Sequence, residues 1–397
     1  MKKDKLYIIL CLILATILSG CIEEYQAEIP TTDSDILVVN GTIRSSEQNT
    51  FILSLTQAIN SDPMLKFAEH AIVSVRGTDG SEYEVDGFYG VYSCWIGELN
   101  PDVEYYLHIE YDGDVYESEP QKPLRTEKIA DVSVVQNTPE SNIDILVTPD
   151  APFNPDKTNY YSWECDETWE VHSEYRTTIY YDIDLKKAVY NDKQFPWRGW
   201  KDATKSFMVG ASNNYEGQHI QRLKIYDIDR SDERVYYKYS GLVHQRAISK
   251  AEYEYELACK QASSEMGGLF TPQPSSLPTN IRCLTSSRHV IGFVGCAMNT
   301  SAYRFFLNAD DYSIEYPPYE DTRLWVENPS DMNCIRLLEK GMFLCAWIDE
   351  RLAGKDLQTA WAFQEQLDVR YKGAYTDEPS FWSFTEDDDN LQSSDIK

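Results

Sequence analysis

Histidine is scarce in this chain and poorly spaced for chemistry. The 397 residues hold six, His70, His108, His172, His219, His244 and His289, and no two stand at a metal-ligand spacing such as His-x-x-x-His. A Gly-x-Ser-x-Gly elbow and a Gly-rich phosphate loop are also missing, which removes the readable signatures of serine hydrolases and of phosphoryl transfer. Catalysis, a cofactor and a metal site are therefore not expected. Positive charge is short as well, with 36 Lys and Arg against 65 Asp and Glu and a net of −29. That balance argues against nucleic acid as a partner, because phosphate backbones are bound by basic surfaces that release counterions. Beyond the first 20 residues no apolar run reaches the roughly 20 residues that a transmembrane helix needs.

The first 20 residues are different. Lys2, Lys3 and Lys5 form a positive head before an apolar run over residues 6–18, long enough for a secretory signal and too short to span a bilayer. Leu18-Ser19-Gly20-Cys21 follows: an apolar residue, two small residues and a cysteine, the pattern of a bacterial lipoprotein signal rather than of an ordinary one. Cleavage is expected between Gly20 and Cys21, with the Cys21 thiolate taking the diacylglyceryl group. Acyl chains of the palmitate kind on Cys21 would hold the protein stably, since each buried methylene contributes about 0.8 kcal/mol. Loss of Lys2, Lys3, Lys5 and Asp4 leaves 33 basic and 64 acidic residues, a net of −31. Residues 21–34, beginning Ile22-Glu23-Glu24 after the anchor, read as a polar tether.

From residue 35 to 124 the pattern is short strands with alternating faces, as in a β-sandwich. Residues 36–43 form the first, and Phe51, Leu53 and Leu55 alternate in the second. Residues 72–75 and 83–85 flank Thr78-Asp79-Gly80, a hairpin signal, and Asp112-Gly113 turns the chain into 115–118. Leu99-Asn100-Pro101 with Tyr105, Leu107 and Ile109 reads as a tyrosine corner, in which the phenol ties the corner to the backbone. The expected fold is mainly β: an N-terminal immunoglobulin-like or fibronectin-like sandwich, then, after a linker at 120–123, a larger β-sandwich-type domain over 125–382 with one packed α-helix. An acidic, disordered tail is expected at 383–397.

In the larger domain, residues 132–135 and Ile143, Ile145 and Val147 again run at period two. The most informative segment is Tyr160–His172. Tyr161, Trp163, Cys165, Glu167, Trp169 and Val171 share one face, which reads as core; Ser162, Glu164, Asp166, Thr168, Glu170 and His172 share the other, which reads as solvated. Glu167 therefore stands among apolar side chains and needs a counter-charge or several donors. It is expected to be a structural ion pair, with a ligand-facing acid as the alternative. Tyr175, Tyr180, Tyr181, Trp197 and Trp200 add to an aromatic surplus of 28 Tyr and 9 Trp, most of it core, with a few rings free to stack on sugar or peptide. A helix is expected over 250–265, opened by a capping box of Ser249 and Glu252 and stopped by Gly267-Gly268, its broken apolar stripe of Tyr253, Leu257, Cys259 or Lys260, and Ala262 packing on a sheet. Strands follow around 281–283 and 290–294. Asp227-Ile228-Asp229-Arg230-Ser231-Asp232-Glu233 lacks the Gly at position six and the Glu at position twelve of a calcium loop, and reads as a solvated turn.

Tyr160-Tyr161-Ser162-Trp163-Glu164, Glu167-Thr168-Trp169-Glu170, Ala247-Ile248-Ser249-Lys250-Ala251-Glu252-Tyr253, Gly267-Gly268-Leu269-Phe270, Pro272-Gln273-Pro274, Asn280-Ile281 and Val290-Ile291-Gly292-Phe293 occur in the order of the domain-of-unknown-function 4249 family. The resemblance covers nearly the whole chain after Cys21. Glu378-Pro379-Ser380-Phe381-Trp382 is similar to a Pro-x-Phe-Trp passage near the family's C-terminus, whereas Leu367-Asp368-Val369-Arg370 stands where many relatives carry a Cys-x-x-Cys-like element. The resemblance implies an outer-membrane lipoprotein of Bacteroidota, encoded near TonB-dependent transporters and serving one as a non-enzymatic accessory in ligand capture or gating. Glu23 and Glu24 resemble the acidic export signals of surface lipoproteins in that phylum. The ligand, whether small molecule, peptide or glycan, is not legible. A free-standing adhesin or glycan-binding protein is the first alternative. A hydrolase is the second, if two of Glu164, Asp166, Glu167 and Glu170 face further carboxylates across a cleft about 5–10 Å wide.

Seven cysteines remain besides Cys11 and Cys21, so at least one has no intramolecular partner. Cys165, on the inward face, is expected to be a buried thiol. Cys283 and Cys334 are the candidate disulfide.

Overall fold

The computed structural model describes residues 35–57, 65–151, 157–265 and 277–382. The signal, Gly20, Cys21, the tether, the Gly267-Gly268 stop and the acidic tail lie outside them. The first eight strands are β1 (Leu37–Arg44), β2 (Glu47–Leu55), β3 (Lys66–Phe67), β4 (Ile72–Gly77), β5 (Glu82–Phe88), β6 (Val91–Ile96), β7 (Tyr105–Tyr111) and β8 (Asp114–Ser118). Their alternation sets the core: Leu37, Val39 and Ile43 of β1 and Phe51, Leu53 and Leu55 of β2 all point inward. Asp112 and Gly113 both take positive φ, 51° and 80°, as the two-residue turn between right-twisted strands requires. Tyr89 and Gly90 repeat this device between β5 and β6, at 49° and 75°. The tyrosine corner forms: the buried Tyr105 hydroxyl accepts the Asn100 N–H at 3.0 Å.

The chain continues through β9 (Ile129–Gln136), β10 (Ile143–Pro149), β11 (Tyr160–His172), β12 (Ile179–Asp182), β13 (Lys187–Tyr190), β14 (Arg198–Ala211), β15 (Leu223–Ile228) and β16 (Lys238–Ile248) into helix α1 (Lys250–Glu265). Then come β17 (Ile281–Cys283), β18 (Val290–Ala297) and β19 (Ser301–Asn308). Sheet β15-β10-β9 faces sheet β14-β11-β16-β19. Ile143, Ile145 and Val147 of one meet Tyr161, Trp163 and Cys165 of the other in a shared core. This is the expected second sandwich. A smaller sheet of β20 (Leu324–Glu327), β21 (Met342–Asp349) and β22 (Leu357–Phe363) packs with helix α2 (Asp331–Glu339) around Trp361.

The division at residue 124 does not separate the two sandwiches. Strands β17 and β18, placed by sequence in the larger domain, are the two ends of the first sheet, whose order is β17-β8-β7-β4-β5-β6-β2-β1-β18. β18 runs parallel to β1 in unbroken register from Leu37 opposite Val290 to Arg44 opposite Ala297. The physical reason is edge protection: without them β1 and β8 would each expose a row of unpaired backbone groups. Asn280 then nearly closes the ring, its side chain donating to the Val294 carbonyl and accepting the Val294 N–H, both at 2.9 Å.

Helix α1 lies where the two units meet. Tyr253 packs on Tyr160 of β11 and Tyr255 on Phe293 of β18. Only half of the capping box forms, with the Glu252 N–H on Ser249 Oγ at 3.1 Å. The Glu252 carboxylate turns instead to Arg246, and it lies so close to Gly295 that a Cβ there would sit 2.5 Å from its oxygen.

Candidate functional site

Strand β11 carries most of the residues singled out in the sequence. All six of its inward side chains, Glu167 included, are buried. Arg234 Nη1 lies 2.8 and 2.9 Å from the two Glu167 oxygens, and the Tyr239 hydroxyl donates to Oε1 at 2.7 Å. Tyr226 hydrogen-bonds Tyr239 at 2.7 Å and the Cys165 sulfur at 3.3 Å. Arg234 is in turn held by Asp232, which holds the guanidinium at Nε and Nη2. Burial pushes the Tyr226 and Tyr239 hydroxyls well above their ordinary range and the Cys165 thiol up to about 12. Glu167 is thus the structural ion pair rather than a ligand-facing acid. The same network explains the acidic turn: Asp232 is spent on Arg234, and Asp229 accepts from Ser231.

The other face of β11 is only partly solvated, which corrects the expectation. Ser162, Thr168 and Glu170 are buried. Thr168 donates to Asp202 at 2.7 Å, and Glu170 meets His172 at 2.6 Å and Arg198 at 3.2 Å. Ser162 lines a cleft between the two units, while the cover over Thr168 and Glu170 comes from the C-terminal end of the described chain, where Tyr375 bridges to Trp200, Trp382 packs on Trp200 and Phe306, and Arg304 lies over Phe381. The Pro-x-Phe-Trp passage is therefore a lid on a sheet face.

Glu164 and Asp166 remain uncovered and open into a cleft between the two units, with a volume of about 460 Å³. One wall is the outward face of β1 and β2, with Asn40, Thr42, Gln48 and Thr50. The facing wall is β11 and β16, with Glu164, Asp166, His244 and Arg246; α1 and β18 close the end with Glu252, Tyr255, Glu256 and Phe293. Asp166 accepts from Thr204 and meets His244 Nε2, each at 2.9 Å. Arg246 sits 2.7 Å from Glu252, and both are buried. Burial, reinforced by the Glu252 charge one turn away and opposed by Arg246, raises the Glu256 carboxyl. Among the described residues no group of three or more His, Cys, Asp or Glu is placed to hold a metal ion.

The candidate disulfide is not formed: all seven cysteines are free, and Cys283 and Cys334 belong to different cores. Cys334 is buried on α2 against Tyr181 and Trp361, while Cys283 sits in β17 at the rim of the first sheet. Cys165 is the buried free thiol that its strand face predicts.

These features define a β protein of two joined sandwiches with a polar, acid-rich cleft between them. The family model described as Domain of unknown function (DUF4249) matches residues 22–302, and the chain belongs to that family. No curated protein matches the chain. The matched range contains both β17 and β18, so the strands that complete the first sheet lie within the matched family region.

Proposed function

We propose that this is a surface-facing outer-membrane lipoprotein, anchored through Cys21, that captures a ligand in the cleft between its two sandwiches and serves a TonB-dependent transporter without chemistry of its own. The observation that carries the reading is the cleft, whose volume of about 460 Å³ falls in the range of about 300–1,000 Å³ typical of small-ligand sites and whose walls come from both units. The Leu18-Ser19-Gly20-Cys21 pattern and the tether behind it support the anchor. One observation favours a hydrolytic reading instead: Glu164 and Asp166 share the cleft with Glu252 and Glu256. Asp166 and Glu252 are already engaged by His244 and Arg246, which favours holding a ligand over carrying an acid and base through a reaction.

Protease shaving of intact cells tests the side. The body of the protein is expected to be digested while periplasmic markers survive. Protection that persists until the outer membrane is breached would make the protein periplasm-facing and overturn surface capture.

A further inference from the structure

We propose that the cleft binds an organic cation, an ammonium or guanidinium group, between Glu164 of β11 and Glu256 of α1. This rests on the capture reading and names the chemistry of the ligand. The lining carries four carboxylates, Glu164, Asp166, Glu252 and Glu256, against Arg44, Arg246 and His244. Each of the positive or protonatable groups already has an acid: Arg246 has Glu252, His244 has Asp166, and Arg44 has Glu47 at 3.7 Å. Glu164 and Glu256 are left without a hydrogen-bond or ion-pair partner among the described residues. Arg246 Nη1 makes no hydrogen bond, but its charge is matched by Glu252 at 2.7 Å, so an anion would meet a net negative lining whereas a cation would meet two acids without such a partner.

The helix geometry points the same way. Glu252 and Glu256 are one turn apart on α1, and like charges at that spacing destabilise a helix. Arg246 pairs directly with Glu252 and offsets the Glu256 charge only in part. Glu256 is half-buried beside it and holds its proton to higher pH than a free carboxyl. A cation seated there takes the place of that proton and relieves the repulsion. The charges that act on Glu256 are Glu252 on its own helix and Arg246 from β16, and the same cleft is lined by His244 from β16, Glu164 and Asp166 from β11, and Arg44 from the other wall. Tyr255 and Phe293, ring centroids 5.7 Å apart, add aromatic surface of the kind that attracts cations, and the net charge of −29 concentrates cations around the whole molecule.

Titration calorimetry of the full chain in non-ionic detergent tests this with spermidine, a trilysine amide peptide and, as a neutral control, maltotriose. The two cationic arms distinguish a polyamine from a peptide side chain as the source of the group. Saturable binding of at least one cationic probe is expected at about pH 7.5, weakening as the pH is lowered and Glu256, whose carboxyl burial raises, takes up its proton. The double variant Glu164→Gln/Glu256→Gln should weaken it about tenfold or more, and Glu84→Gln/Glu98→Gln, exposed acids outside the cleft, less than about twofold. If the first double variant melts early, Thr50→Lys supplies an ammonium from the opposite wall and should block the probes in the same way. Equal weakening by both double variants, binding that ignores Thr50→Lys, or preference for maltotriose would overturn the cation site. Shaving that still exposes the protein would then leave surface capture standing with a different ligand.

Discussion

Cys21→Ala should move nearly all of the protein out of the detergent phase and into the aqueous phase, or leave it as an uncleaved precursor. On the proposed anchoring, the Cys21 thiol takes the acyl groups, and without it no hydrocarbon is added to the N-terminus left by cleavage. Among the described residues no helix is long and apolar enough to cross a membrane. Acyl chains of ordinary length contribute about 0.8 kcal/mol per methylene, so their loss costs orders of magnitude in partitioning. Detergent phase separation followed by immunoblotting reads the result. A variant that still partitions with detergent when purified alone would show that another part of the chain holds the membrane.

The second large effect is expected in the second sandwich. Arg234→Met should destabilise it by about 3–5 kcal/mol, because it leaves Glu167 as a buried charge with only the Tyr239 hydroxyl to satisfy it. The double change Glu167→Met/Arg234→Met should recover most of that loss, since removing both charges also removes the desolvation cost. Denaturant unfolding followed by tryptophan fluorescence measures both, with Trp163 and Trp169 on the same strand as reporters. A single variant that loses less than about 1 kcal/mol would mean that Glu167 does not depend on Arg234.

What the sequence disclosed was local. The inward face of β11 was legible because period-two alternation depends on one strand alone, and the tyrosine corner because Asn100 and Tyr105 lie five residues apart. Long-range pairing was not. The parallel match of β1 with β18 joins segments some 250 residues apart, and nothing in either strand names its partner. The lid over Thr168 and Glu170 failed to show for the same reason, since Tyr375 and Trp382 arrive from far down the chain. For Glu167 the need for a counter-charge was legible, but Arg234 as its source was not, because it lies beyond β15 in a different turn. The cysteine positions carried no geometry, and Cys283 and Cys334 pack against two separate cores. The cleft escaped because its walls meet only when β1 and β2 come to face β11 and β16.

Cross-linking of intact cells, isolation of the protein through a C-terminal tag and mass spectrometry of what is joined to it test the transporter partnership most directly. A TonB-dependent outer-membrane transporter recovered in near-equal amount, and lost with Cys21→Ala, is the predicted result. Recovery of the protein alone, with surface polysaccharide binding that needs no membrane partner, would contradict the account and establish a free-standing adhesin.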